Sequence, residues 1–477
     1  MPTIKKVALV ESKAIKTHIF SRKWSPRLGL PILSAVLKKH GYEVELFYQQ
    51  LKPLDYGYLM TFDIVGVSAL TSTVQDAYRI GDALQARGKA VIMGGPHVSA
   101  QTDEALAHCD YVVRGEGENT LLALLAAINE GQPLSGVPGI SYRENGEVVQ
   151  NPSSITKVDM TSLPSSDFSA CKMLSDPKSH PGGIMFSRGC PFDCSFCSVT
   201  TTYGKKYRHK TTEQIIEELR PFTGRPVCFI DDNFAAVPKK TKELLRAMIK
   251  EKVIPSRYSC QIRASASADE ELFDLMRQTG CHLAGVGLES VSPETLKAYH
   301  KGQTYDQIVA SIKVFQKYNI GLHGMFVLGA DNDTADTIHE TVSFALEHGI
   351  DTIQICALTP LPGTAVHGQM VAEGRVLHKN WDLYDGLHVN VRPVKMTSYE
   401  LQTGIIREMK RFYSLGNAFK IDVRKLWRFR NRLIGWYLVR RWEKENTGYC
   451  EYLAAQDRAP AMAANADAET ALISTAE

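Results

Sequence analysis

Apolar residues along the first 135 or so positions alternate between two patterns, short continuous runs and stretches where they recur every three or four residues. Val7–Val10, Glu43–Phe47, Ile64–Ser68, Val91–Gly94 and Tyr111–Val113 have the length and content of buried parallel strands. Between them, Leu28–Lys39, Gln75–Ala86 and Thr120–Asn129 have helical periodicity, and Gly41 and Gly88 close the first two. Strands separated by helices of this length require βαβ crossovers. The pattern therefore predicts an α/β domain over residues 1–135 built on a doubly wound, flavodoxin-like parallel sheet. Such sheets take ligands where loops leave the carboxyl ends of the strands. Ala69-Leu70-Thr71-Ser72-Thr73, Gly94-Gly95-Pro96-His97 and Gly115-Glu116-Gly117-Glu118 stand there.

Residues 136–182 are rich in Pro, Ser, Asn and Asp and read as a connector, with a hairpin over Ile140–Val149 turning at Asn145-Gly146. Strand and helix signals resume at Gly183 and repeat about six times, to residue 375. The expected strands are Ile184–Ser187, Val227–Ile230, Tyr258–Ile262, His282–Leu288, Leu322–Leu328 and Thr352–Leu358. Thr211-x-x-Gln214 and Ser267-x-x-Glu270 fit capping boxes, and Ser292-Pro293 supplies an N-cap followed by proline at the first helical position. Six such units predict a partial β/α barrel, open compared with the closed eight-unit form. Residues 376–453 turn helical, through Tyr399–Tyr413 and Lys420–Glu445, and 454–477 are Ala-rich without an apolar period, which predicts a disordered tail.

Composition narrows the class. Hydrophobic residues at 44% and charged residues at 22% suit a globular chain, and 477 residues call for several domains. Lys+Arg 55 against Asp+Glu 52 leaves +3, which argues against a broad nucleic-acid footprint. No run of about 18 apolar residues spans a membrane. The start, Met1-Pro2-Thr3-Ile4-Lys5-Lys6, lacks the apolar core of a signal peptide, so a cytoplasmic protein with reduced thiols is expected.

Ten cysteines are too sparse for a disulfide scaffold, but three lie close together in Ser187-Arg188-Gly189-Cys190-Pro191-Phe192-Asp193-Cys194-Ser195-Phe196-Cys197. C-x-x-x-C-x-x-C on one loop after a strand can hold three irons of a cubane cluster and leave the fourth open to an outside ligand. A structural zinc site would need a fourth ligand, for which His209 is the nearest candidate, and such sites favour paired cysteines. A Cys194/Cys197 redox pair would leave Cys190 unexplained.

This loop, with aromatic Phe196 before its last cysteine, resembles that of the radical SAM superfamily. Together with the upstream sheet, the chain resembles the cobalamin-binding radical SAM group over about residues 5–375. The resemblance implies a [4Fe-4S] cluster on Cys190, Cys194 and Cys197, its open iron chelated by S-adenosylmethionine (SAM), and reductive cleavage to a 5′-deoxyadenosyl radical. It also implies a reductant such as flavodoxin or ferredoxin. Phe196, Asp231, Asp232, Asn233, Arg263, Glu289 and Ser290, at strand ends or on the cysteine loop, are the expected SAM contacts, each also open to a purely structural role. Carboxylates and an amide would meet the methionine ammonium, and Arg263 the carboxylate.

Thr71, Ser72, Gly94, Gly95, Pro96, His97, Gly115 and Glu116 are the expected cobalamin contacts, unless the sheet keeps the fold without the ligand. After the first strand, Glu11–Phe20 lacks the D-x-H-x-x-G of many cobalamin proteins, with His18 as the one possible substitute. The expected activity is cobalamin-dependent methyl transfer to an unactivated carbon or phosphorus centre. The alternatives are radical cyclisation, rearrangement or coupling without methylation, and a non-catalytic cobalamin or redox sensor. In Lys420–Glu445, Arg424, Lys425, Arg428, Arg430, Arg432, Arg440 and Arg441 mingle with Trp427, Phe429, Trp436, Tyr437 and Trp442. That segment reads as a helix packed on the barrel, or as one that meets a membrane surface or covers a small or lipid-like substrate.

Overall fold

Parallel pairing and near-complete burial explain the continuous apolar runs of the first sheet. In the computed structural model, which describes residues 3–14, 27–153, 157–174, 182–419 and 426–458, strand β1 (Lys6–Glu11) is buried at every position after the first. It pairs in parallel with β2 (Glu43–Tyr48) on one side and β3 (Ile64–Ser68) on the other. Next in parallel come β4 (Val91–Gly94) and β5 (Tyr111–Val113). The order β2-β1-β3-β4-β5 reverses beside β1, and that reversal opens a crevice at the strands' carboxyl ends. Helices Gly29–Lys39 and Val74–Gln85 supply crossovers between parallel strands, and helix Gly117–Glu130 follows β5.

Asn145 and Gly146, with φ of 53° and 87°, make the tight turn that the Asn-Gly pair demands. The hairpin they join, β6 (Ile140–Glu144) and β7 (Glu147–Gln150), pairs antiparallel with β5 and completes a seven-stranded sheet. These residues of the expected connector are thus part of the first sheet.

Two compact units divide the described residues. The first runs to Phe222 apart from Phe192–Cys197, which belong with the residues from Thr223 onward to the second. The first also contains β8 (Gly182–Ile184) and a two-residue antiparallel ladder of β9 (Ser187–Arg188) and β10 (Arg208–His209).

In the second unit, β11 (Pro226–Phe229), β12 (Arg257–Arg263), β13 (Cys281–Glu289), β14 (Gly321–Leu328) and β15 (Thr352–Ala357) pair in parallel in chain order. One face of this sheet buries Phe229, Tyr258, Ile262, Val286, Phe326 and Ile355. The other carries Gln261, His323, Met325 and Gln354, none of them fully buried. Thr211 and Ser292 cap their helices as expected, with Ser292 Oγ accepting from Thr295 N at 3.3 Å. Ser267 does not cap. A 3-10 turn over Ala264–Ala268 moves the helix start, so Asp269 accepts from Leu272 N at 3.0 Å while Ser267 Oγ turns back to the Ala264 carbonyl. Helix Ser398–Phe412 packs on Ala335–Glu347, and helices Leu426–Glu445 and Thr447–Arg458 follow. The last takes in the first residues of the expected tail, whose remainder lies outside the described residues.

Candidate functional site

Gly189 fixes the start of the cysteine loop. Its φ is +85°, and a β-carbon there would collide with the Lys206 carbonyl oxygen, so only glycine fits the approach. Cys190 N then donates to the Gly204 carbonyl at 3.4 Å. In the second unit Cys197 N donates to the Cys194 carbonyl at 3.1 Å, which brings those two thiols onto one turn. All three cysteines are half-buried and free of disulfides. Among the described residues, no three His, Cys, Asp or Glu side chains group as a single-ion site, and His209 is engaged through Nδ1 with the Lys210 carbonyl. The donor set thus fits a cluster spread over several thiolates better than a single zinc ion.

Of the expected SAM residues at strand ends, Arg263 meets the part of this loop in the second unit, and Glu289 is joined to it through Lys301. Arg263, at the end of β12, stacks its guanidinium 3.7 Å from the Phe192 ring centroid. Its Nη1 stands 3.7 Å from Cys194 Sγ, and Nη2 donates to the Lys301 carbonyl. A buried cation is thereby held against the Cys194 sulfur. Glu289, with φ of +63° at the end of β13, accepts from Lys301 Nζ at 2.6 Å, both side chains being buried. Ser290 Oγ accepts from Ser292 N at 3.1 Å. Phe196 meets Tyr299 edge-on at 4.9 Å and packs on the apolar cluster of Tyr299, Leu358 and Met370. Asn233 is buried with Oδ1 unpartnered among the described residues, an acceptor suited to an ammonium donor. Asp231 is buried beside it in sequence, and Asp232 is exposed. Lys301 and Tyr299 are new to the site and no local motif marks them, while Phe192 lies inside the cysteine motif without being among the expected contacts.

In the first unit, a cavity of about 210 Å³ opens at the carboxyl ends of the strands, and Gly94, Gly95, Pro96, Gly115 and Glu116 line it. Gly95, with φ of +118°, lies so close to the Ala69 carbonyl that a side chain would clash. A flat macrocycle can approach backbone of this kind. Three expected contacts, Thr71, Ser72 and His97, are not among the lining residues. His97 is buried, 3.8 Å from Glu104, and Thr71 opens a 3-10 turn. Glu11 also lines the cavity, and burial, opposed by the charge of Arg27, pushes its carboxyl up to about 7. His18 lies outside the described residues.

Glu116 and Glu118 face two arginines. Arg188 Nη1 donates to Glu116 at 3.0 Å and Nη2 to Glu118 at 2.6 Å, while Arg208 Nη1 lies 3.0 Å from both Glu116 oxygens. Burial works against the Arg188 charge, but Glu118 and Glu116 outweigh it and raise its pKa.

Two arginines of the C-terminal helix are structural. Arg432 donates to the carbonyls of Ile350, Asp351 and Phe412, and Arg428 pairs with Asp351 at 2.6 Å. Val439 and Trp442 bury on the same side. Arg424 and Lys425 lie outside the described residues. Among the described residues no helix is long and apolar enough to cross a membrane.

Known families match two stretches of the chain. The B12 binding domain model matches residues 23–125, and the radical SAM superfamily model matches 184–345. An uncharacterized methyltransferase of Pyrococcus horikoshii is 30% identical, the match covering 81% of this chain and 88% of the relative. The bacteriochlorophyllide d C-12(1)-methyltransferase of Chlorobaculum tepidum is 30% identical over 74% of this chain and 75% of its own length. The solved structure of OxsB, a cobalamin-dependent S-adenosylmethionine radical enzyme, superposes with a TM-score of 0.72 over 99% of this chain and 75% of that one. At 17% identity, that likeness speaks to the fold. Matched by both family models and by a relative across most of its length, the chain belongs to the radical SAM superfamily, in the group that joins a B12 binding domain to the radical SAM domain.

Proposed function

We propose that this radical SAM enzyme is a cobalamin-dependent methyltransferase acting on an unactivated carbon or phosphorus centre of a small or lipid-like molecule. The observation that carries the reading is the presence, on one chain, of a glycine-lined cavity at a B12-type switch point and a three-cysteine loop without disulfides, with Arg263 against Cys194. When bound, the cluster with SAM supplies a 5′-deoxyadenosyl radical, and cobalamin supplies a transferable methyl group.

The chain's own residues bind, orient and exclude water. Cys190, Cys194 and Cys197 hold the cluster, and Arg263 offsets thiolate charge at Cys194. Asn233 Oδ1, with Asp231 and Asp232, accepts from the SAM ammonium. The Glu289–Lys301 pair keeps a carboxylate fixed at a strand end, where it can meet ribose hydroxyls. Phe196, packed on Tyr299, shields the loop from water. Gly94, Gly95, Pro96 and Gly115 give the corrin its floor. A small electron carrier such as a flavodoxin or ferredoxin supplies the reducing electron.

A second reading concerns location. Leu426, Arg430, Ile434, Tyr437 and Arg441 are exposed at helical spacing along Leu426–Glu445. An exposed face that mixes apolar side chains with arginines suits the surface of an anionic membrane, and through it an acceptor dissolved in lipid.

The activity test uses anaerobically reconstituted enzyme, a chemical reductant, methylcobalamin, methyl-labelled SAM and a bacterial lipid extract as acceptor pool. The proposal expects label in an extracted product, with 5′-deoxyadenosine and S-adenosylhomocysteine formed in parallel. A modified product formed with 5′-deoxyadenosine but neither label nor S-adenosylhomocysteine would replace methyl transfer with cyclisation, rearrangement or coupling.

A further inference from the structure

We propose that Glu116, with Glu118 beside it, is a clasp that holds shut the neck of the cysteine-bearing loop and so positions the first cluster cysteine. The inference rests on the cluster reading above. It also gives Glu116 a different role from that of corrin contact.

Gly189–Tyr207 is the loop in question, and the ladder that closes it, β9 with β10, is two residues long on each side. So short a ladder has little stability of its own. Its register also sets Arg188 directly opposite Arg208, and like charges in that relation repel. Glu116 resolves the conflict. Its Oε1 accepts from Arg188 Nη1 at 3.0 Å and from Arg208 Nη1 at 3.0 Å, and its Oε2 accepts from Arg208 Nη1 at 3.0 Å and from Val158 N at 3.2 Å. Glu118 takes the other arm of Arg188 at 2.6 Å. Two carboxylates and two guanidiniums thus form a neutral set, with Glu118 Oε2 and Arg208 Nε left unpartnered among the described residues. The side chains of Arg188, Glu116 and Glu118 are no more than 5% exposed, and that of Arg208 is 11% exposed.

Glu116 occupies the N-cap position of helix Gly117–Glu130 but makes no cap bond to that helix. Both of its oxygens go to the neck. The neck lies just before Cys190, where Gly189 meets the Lys206 carbonyl and Cys190 N meets the Gly204 carbonyl. Glu116, Glu118 and Arg188 also wall the 210 Å³ cavity, so the clasp and the cavity share side chains.

The test compares wild type, Glu116→Gln, Glu118→Gln and Cys194→Ala as full-length protein. Trypsin reads the neck in the apo-protein through cleavage after Lys205 and Lys206, which are exposed. Iron content and the electron paramagnetic resonance (EPR) spectrum of the reduced, reconstituted protein read the cluster, and titration with aquocobalamin reads the cavity. For Glu116→Gln the clasp predicts cleavage faster by about fivefold or more and a shifted or broadened EPR signal, whatever the change in aquocobalamin affinity at the shared cavity wall. Glu118→Gln frees one arm of Arg188 and shifts the same readouts by less, which keeps the test open if Glu116→Gln fails to fold. Unchanged cleavage and EPR with weakened aquocobalamin binding would overturn the clasp and restore Glu116 as a corrin contact. Should wild type take up no Cys194-dependent iron, the cluster reading fails separately, and the cleavage rates still decide whether the clasp exists.

Discussion

Glu11 shows how one side chain ties the cavity to stability. Burial holds its carboxyl at about 7, so the folded chain keeps a proton that the unfolded chain releases near 4.5. The folded-state pKa is raised, so the contribution is fully present below about 4.5 and declines as pH rises to about 7. At about 1.4 kcal/mol per pH unit the loss reaches ~3 kcal/mol. Glu11→Gln removes the ionisation. Urea denaturation of the apo-protein from pH 4.5 to 8 should show the variant gaining on wild type by up to about that amount, and parallel curves would contradict it. At this scale the three cysteines were legible because their signal is local, one loop with one spacing. Arg263 and Glu289 were legible as strand ends. Lys301 was not, since its partner Glu289 is 12 residues away, and neither was the meeting of Arg263 with Cys194, 69 residues apart. Contacts made by folding leave no spacing to read. His97 looked like a loop residue beside Gly94-Gly95-Pro96, but a short helix, Pro96–Ala100, turns it into the core.

At the scale of elements, apolar runs marked all five parallel strands of the first sheet, because burial on both faces makes a strand continuous in apolar residues. Helical periods marked its three long helices but not the short Tyr56–Leu59, Pro96–Ala100 and Thr102–Ala105. The Asn145-Gly146 hairpin was legible as a hairpin but not as part of that sheet, since edge pairing is decided by a partner strand rather than by the hairpin's own sequence. Ser267 and Asp269 are both good cap residues, and the 3-10 turn between them and the strand chose the second. Helix Leu426–Glu445 was legible as basic and aromatic, though not in how it divides. Arg428 and Arg432 lock it to the sheet, and Leu426, Ile434 and Tyr437 remain 70%, 48% and 48% exposed. If this exposed face meets membranes, wild type should sediment with anionic vesicles at low ionic strength. Binding should fall at least about fivefold with added salt or in the Ile434→Glu/Tyr437→Glu double variant. Equal sedimentation of wild type and variant, or none with either, would leave it a solvated face.

For the molecule as a whole, the chain brings two cofactor architectures together, each legible in outline because each repeats a strand–helix unit with its turn chemistry at the carboxyl ends. Near-neutral net charge conceals local concentration, with four charges buried at the loop neck and a basic C-terminal helix. The most direct test of the central claim, that one chain holds both cofactors at separate residues, is cofactor stoichiometry. Wild type and Cys194→Ala would be reconstituted without oxygen, incubated with aquocobalamin and desalted, then analysed for iron, sulfide and corrin absorbance. The account predicts about four irons and one corrin per wild-type chain, with iron lost and corrin retained in the variant. Iron unaffected by Cys194→Ala, or a wild-type chain that carries iron but no corrin, would contradict it.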